Sequence, residues 1–146
     1  MKKIFILMIV ALMAVLFTGC SSTSEPGKSV SGTITLSDEV AKKVSGNETL
    51  YIVARGSVPG MPLAVQTIKN PKFPLQYEIT KEDAVDANTK FVGGITITVR
   101  LDRDGKIGDL EKGDFVGRAA KFPVIAGTKN VDVVIDTPAE RVVETQ

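Results

Sequence analysis

From Val30 to Asp136 apolar and polar residues alternate with a period of two, which predicts strands that bury one face. Val30, Gly32, Ile34 and Leu36 alternate with Ser31, Thr33, Thr35 and Ser37, and Phe73, Leu75, Tyr77 and Ile79 alternate with Pro74, Gln76, Glu78 and Thr80. The longest run sets Ile95, Ile97, Val99 and Leu101 on one face and Thr96, Thr98 and Arg100 on the other; Val131, Val133 and Ile135 form a further strand. Leu50-Tyr51-Ile52-Val53-Ala54 is apolar on both faces, as a central strand would be. Leu63 to Lys69 and Gly117 to Val124 bring the set to about seven. One short helix is expected after the first strand: Ser37 suits the N-cap, Asp38 and Glu39 the first turn, Lys42 and Lys43 the end, and Gly46 the stop. Short strands punctuated by Gly and Pro predict an all-β fold, an immunoglobulin-like antiparallel β-sandwich. With one cysteine and no tryptophan, its core is expected to rest on aliphatic packing and on the Phe residues that follow the N-terminal apolar run, not on a disulfide.

Upstream of Val30 the pattern changes. Lys2 and Lys3 open the chain, Ile4 to Phe17 is unbroken apolar sequence, and Phe17-Thr18-Gly19-Cys20 closes it with small residues, after which Ser21-Ser22-Thr23-Ser24 is polar at once. The apolar run is shorter than the roughly 20 residues a spanning helix needs. The order cationic, apolar, small is that of a secretory signal, and the Cys20 segment resembles a bacterial lipobox, with Phe17 where a Leu is usual. That resemblance implies removal of residues 1–19 and acylation of Cys20. Residues 20–28 then form a flexible tether, residues 29–137 the folded domain and residues 138–146 a polar tail. Ser21 in place of Asp after the cysteine favours the outer membrane over the inner, with the domain facing the periplasm.

Composition removes most catalytic chemistry. The chain has 146 residues and no histidine, so a histidine general base, a Ser-His-Asp triad and histidine-ligated zinc or haem are absent. No Gly-rich phosphate loop lies at a strand-to-helix junction, and no carboxylate pair sits in an apolar setting. A net charge of +1 before signal removal gives no reason to expect nucleic acid as a partner. The expectation is a non-catalytic protein without a cofactor.

The residues also carry a family resemblance. Ser29 to Leu36, the short helix, Thr49-Leu50-Tyr51-Ile52-Val53-Ala54-Arg55, a Pro/Gly loop and Met61-Pro62-Leu63-Ala64-Val65 resemble the C-terminal periplasmic domain of CycH/CcmI cytochrome c biogenesis proteins. The similarity continues through Phe73-Pro74-Leu75, Gly108-Asp109-Leu110 and Val131 to Asp136. It implies an immunoglobulin-like binding module that helps present apocytochrome c to the haem-ligation machinery. A lipid anchor would replace the family's transmembrane helices and helical repeats. A purely structural envelope lipoprotein on the same scaffold, with no role in haem attachment, is the other reading.

Two segments are candidate sites. Arg55, Pro59, Met61, Pro62 and Leu63 belong to a loop with a guanidinium at its base and an apolar rim, suited to a protein or peptide partner such as apocytochrome c or a haem-lyase component. The same residues also suit a structural task, Arg55 closing a strand edge and Met61 filling a gap. Asp102 and Asp104 begin an Asp-x-Asp-Gly sequence like that of calcium loops, but the third ligand and the closing Glu are out of register, and an Asp-Gly turn accounts for them more simply. The outward Thr96, Thr98 and Arg100 read as a hydrated strand face.

Overall fold

The computed structural model describes residues 29–140 apart from Ile107; Cys20, the tether and most of the expected tail lie outside them. The strands are β1 (Val30–Leu36), β2 (Thr49–Gly56), β3 (Ala64–Lys69), β4 (Leu75–Ile79), β5 (Ile95–Asp102), β6 (Phe115–Ala119) and β7 (Val133–Pro138). The short α-helix α1 (Asp38–Ala41) follows β1. The all-β, immunoglobulin-like reading holds. The strands join into one hydrogen-bonded sheet in the order β3-β2-β5-β6-β7-β1-β4. Its two edge strands, β3 and β4, touch, so the sheet folds over and closes around the core. Every named pairing is antiparallel except β1 with β7, where Ile34 lies opposite Val133 and Leu36 opposite Ile135.

The predicted alternation decides what the sheet encloses. Val30 and Ile34, Leu50, Ile52 and Ala54, Ile95, Ile97, Val99 and Leu101, Tyr77 and Ile79, and Val133 and Ile135 are all buried in one cluster. Elements shift where backbone chemistry requires it. β4 begins at Leu75, two residues after Phe73, because Pro74 has no N–H to give a ladder. β6 starts earlier than expected, at Phe115, and ends at Ala119; Val124 keeps only a bridge to Ile95. α1 is a single turn whose N-cap Ser37 accepts from the Val40 N–H, with Lys42 as C-cap, so Lys43 and Gly46 lie beyond it. At the other end β7 includes Pro138, and the buried Ala139 donates its N–H to Asp114 O, so the ordered domain runs past Thr137.

Gly32 occupies an inward position of β1 for a steric reason. A Cβ there would overlap the backbone of Val131, whose N–H donates to Ser31 O and whose carbonyl accepts from the Tyr77 hydroxyl at 2.6 Å. Burial, and then the charge of Asp132, push the Tyr77 phenol well above its ordinary range, so it stays a donor. The turn into β2 is organised by Glu48, whose carboxylate accepts from Ser45 N–H at 2.6 Å, Ser45 Oγ at 2.9 Å and Gly46 N–H at 2.8 Å. Burial by itself would raise its pKa, but these bonds together hold it below the usual glutamate value.

Gly32→Ala should destabilise the domain by about 3 kcal/mol or more in urea unfolding, because only backbone movement makes room. Glu48→Gln should lose about 1–3 kcal/mol at pH 7. Glu48 has its pKa lowered on folding, so its contribution is present above the unfolded glutamate value of about 4.3 and is lost as pH falls through the lowered folded value; the wild-type and Glu48→Gln stabilities should therefore converge toward acid pH.

Candidate functional site

The strand register assembles a site on the outer face of β3-β2-β5-β6. Tyr51 lies between Thr67 and Arg100, and Arg100 lies beside Val116, so one row crosses four strands. In the next row Val53 lies between Val65 and Thr98, and Thr98 lies beside Arg118. Arg55 follows on β2. The chain between β5 and β6 folds back over this face and adds Gly108 and Leu110, leaving a groove of about 730 Å³. Valines and Leu110 supply much of its lining, with Arg55, Arg100 and Arg118 among the residues that border it. Arg118 also lies over the Phe122 ring, 4.7 Å from its centre.

Arg100 determines where that returning segment sits. Its Nη2 lies 2.5 Å from Asp102 Oδ2 and 2.8 Å from Asp114 Oδ2, and both carboxylates are almost wholly buried. The same guanidinium donates to Gly108 O at 2.6 Å and Asp109 O at 2.9 Å. Asp114 in turn accepts from the N–H groups of Arg103 and Glu111, at 3.1 and 3.0 Å. Asp102 Oδ1 accepts from Gly105 N–H at 2.6 Å, and Gly105 takes a φ of 74°, the positive value an Asp-Gly turn uses. Tyr51 completes the fixation, its hydroxyl donating to Gly105 O at 3.4 Å. Thus one arginine and two acids fasten residues 103–114 beside the sheet and make one wall of the groove.

The residues singled out in the sequence are distributed unevenly around this groove. Arg55 lines it and donates to Gly60 O at 3.4 Å, bracing the β2–β3 loop. Pro59 and Met61 project from that loop into solvent, Met61 with 75% exposure, and Pro62 is half-buried. Leu63 turns inward, packs on the core and against Gly56, and donates its N–H to Ala54 O. Asp102 is engaged by Arg100 and Gly105, while Asp104 accepts from Lys106 N–H and pairs with Lys106 Nζ at 2.8 Å. No group of three or more His, Cys, Asp or Glu side chains among the described residues converges as a metal site. Thr98 and Arg100, read as a hydrated face, line the groove instead.

Val53, Val65, Leu110, Val116 and Arg118 were not singled out in the sequence. Of these, Val53 was signalled by the Leu50 to Ala54 run, since apolar side chains on both faces fit a sheet whose outer face is itself covered as well as they fit a central strand. Arg100→Met should leave Asp102 and Asp114 buried without their cation and cost about 3–5 kcal/mol in urea unfolding; a loss below about 1 kcal/mol would show that the ion cluster does not hold the loop.

Comparison with known proteins places this geometry in a family. Residues 30–136 match the family described as the cytochrome c-type biogenesis protein H Ig-like domain. An uncharacterized protein of Aquifex aeolicus (strain VF5) is 29% identical over 110 residues, covering 73% of this chain and 69% of that protein. Among solved structures, an alternative pilotin from the type II secretion system of Vibrio cholerae superimposes with a TM-score of 0.51 at 15% identity, over 75% of this chain and 96% of the pilotin, a likeness of fold alone. The family match spans the whole sheet from β1 into β7, and the chain belongs to the Ig-like domain family of cytochrome c-type biogenesis protein H.

Proposed function

We propose that the protein is a non-catalytic, lipid-anchored binding module of the bacterial envelope that assists c-type cytochrome maturation by holding apocytochrome c or a component of the haem lyase. The family match over residues 30–136 is the observation that carries this reading. The groove supports it chemically. An aliphatic floor crossed by rows of strand residues offers pockets for alternate side chains of an extended peptide, and Arg55 and Arg118 offer charge to a carboxylate on it. The absence of histidine in the chain agrees with binding in place of bond chemistry. Of the β2–β3 loop, Arg55 is the residue we assign to the partner site, because it is the one that lines the groove.

Anchoring is assigned to Cys20. Among the described residues no helix is long and apolar enough to cross a membrane, and the tether supplies attachment without one.

A deletion strain should lose several c-type cytochromes on a haem-stained gel, and wild-type protein should restore them. A groove variant, Val53→Glu with Val65→Glu, should remain folded by circular dichroism, weaken capture of apocytochrome c about tenfold or more, and fail to restore the bands. A full cytochrome complement in the deletion strain would overturn the role in maturation.

A further inference from the structure

Exposed apolar side chains are unremarkable when scattered singly, but here they are not scattered. Among the described residues the large hydrophobics most open to solvent are Val58, Met61, Val85, Val92, Phe122, Ile125 and Val134. All but Val134 lie at one end of the sheet. The register fixes which end. Gly56 at the end of β2 pairs with Ile95 at the start of β5, and Ala119 at the end of β6 pairs with Val133 at the start of β7. The β2–β3 loop, the segment before β5 and the segment after β6 therefore emerge together. They also touch: Ser57 Oγ donates to Gly94 O at 3.1 Å, and a Cβ on Gly94 would meet Pro123 at 2.8 Å. Val85 joins them through its N–H to Leu63 O. At the opposite end, which holds α1 and the β3–β4 turn, no large hydrophobic among the described residues is exposed.

The described chain begins at this same end. Ser29 O accepts from Gly127 N–H at 2.7 Å, and Ser31 N–H donates to Thr128 O, so the entry point lies beside the loop carrying Phe122 and Ile125. Eight residues lie between Cys20 and Ser29, a reach of at most about 30 Å when extended. This step rests on the anchoring of Cys20 proposed above. An anchor that short holds the entry end near the bilayer, and that end is the one with uncovered apolar side chains.

We infer that the end of the domain formed by Val58, Met61, Val92, Phe122 and Ile125 is a bilayer-contact surface, which seats the domain on the membrane that holds its anchor. Exposed Lys90, Lys121 and Lys129 belong to the same end and can reach headgroup phosphates, as amphipathic side chains at an interface do. Glu82, Asp83 and Asp86 are also there, so apolar contact and not net charge drives the association. With that end down, the groove stands on the flank of the sheet, open to a periplasmic partner.

The chain contains no tryptophan, so an introduced one reports its surroundings alone. The full-length protein, purified from membranes as Phe122→Trp or as Lys72→Trp in the opposite β3–β4 turn, is reconstituted into phosphatidylethanolamine and phosphatidylglycerol vesicles with or without brominated acyl chains. Acylation of Cys20 is read by mass spectrometry on the same sample. Brominated lipid should quench Phe122→Trp by about half or more and Lys72→Trp by less than about a tenth. Acylated protein with neither tryptophan quenched overturns the contact surface and leaves the anchor standing. Quenching of Phe122→Trp without acylation removes the anchor and keeps the surface, whereas no acylation and no quenching removes both. Shielding of Phe122→Trp that depends on protein concentration and not on brominated lipid assigns the surface to a second copy of the chain and overturns the bilayer assignment.

Discussion

Everything on the outer face of the sheet depends on one guanidinium held between two buried carboxylates. Arg100 stands on an outward position of β5 that alternation makes polar, yet Asp102 and Asp114 beside it are almost fully buried. Charges removed from water in this way are costly unless each is met by opposite charge and hydrogen bonds. Here the acids meet one cation, backbone N–H groups from Arg103, Gly105 and Glu111 occupy further lone pairs, and the cation also donates to the carbonyls of Gly108 and Asp109, while its buried Nε is left without a partner. The arrangement contributes position more than net stability. It draws a long connection back over the sheet, and the groove is the space left beneath it.

The inner face follows a different rule, set by close backbone approach. Gly32 lets β1 lie against the chain at Val131, and Gly117 does the same against the carbonyl of Val134 where β6 and β7 slip register. A bulge of this kind adds local twist, and the sheet that contains it rolls until its edge strands touch. A small domain without a disulfide thus encloses a continuous aliphatic core, with Tyr77 as the one large polar group inside it, satisfied by Val131. The rolled sheet then has two dissimilar ends. One carries the charged Glu48 and Asp114 networks, and the other gathers loops with exposed apolar tips around the point where the chain enters.

Much of this was legible residue by residue. The Ile95 to Leu101 alternation marked a half-buried strand, and Ile97, Val99 and Leu101 are core while Thr98 and Arg100 face outward. Ser37 capped the helix as its chemistry predicts, and Gly105 took the positive φ of an Asp-Gly turn. Arg55 was visible as a cation at the base of a loop. Leu63 was read with that loop and also as the start of a strand; it packs on the core and donates its N–H to Ala54 O immediately before β3 begins at Ala64.

Local alternation, turn residues and the apolar run before Cys20 determined the strand set, the all-β class and the expectation of a tether, since each depends on neighbours a few positions apart. The groove and the apolar end were decided only in three dimensions. Val53, Val65 and Val116 become one floor through the register of β3-β2-β5-β6, and Asp114 reaches Arg100 only when residues 103–114 fold back. Val58, Val92 and Phe122 are separated in sequence and lie at one end because antiparallel pairing returns the chain there. Pairing between distant segments is settled by shared burial and hydrogen-bond geometry, and a one-dimensional pattern does not contain the partner.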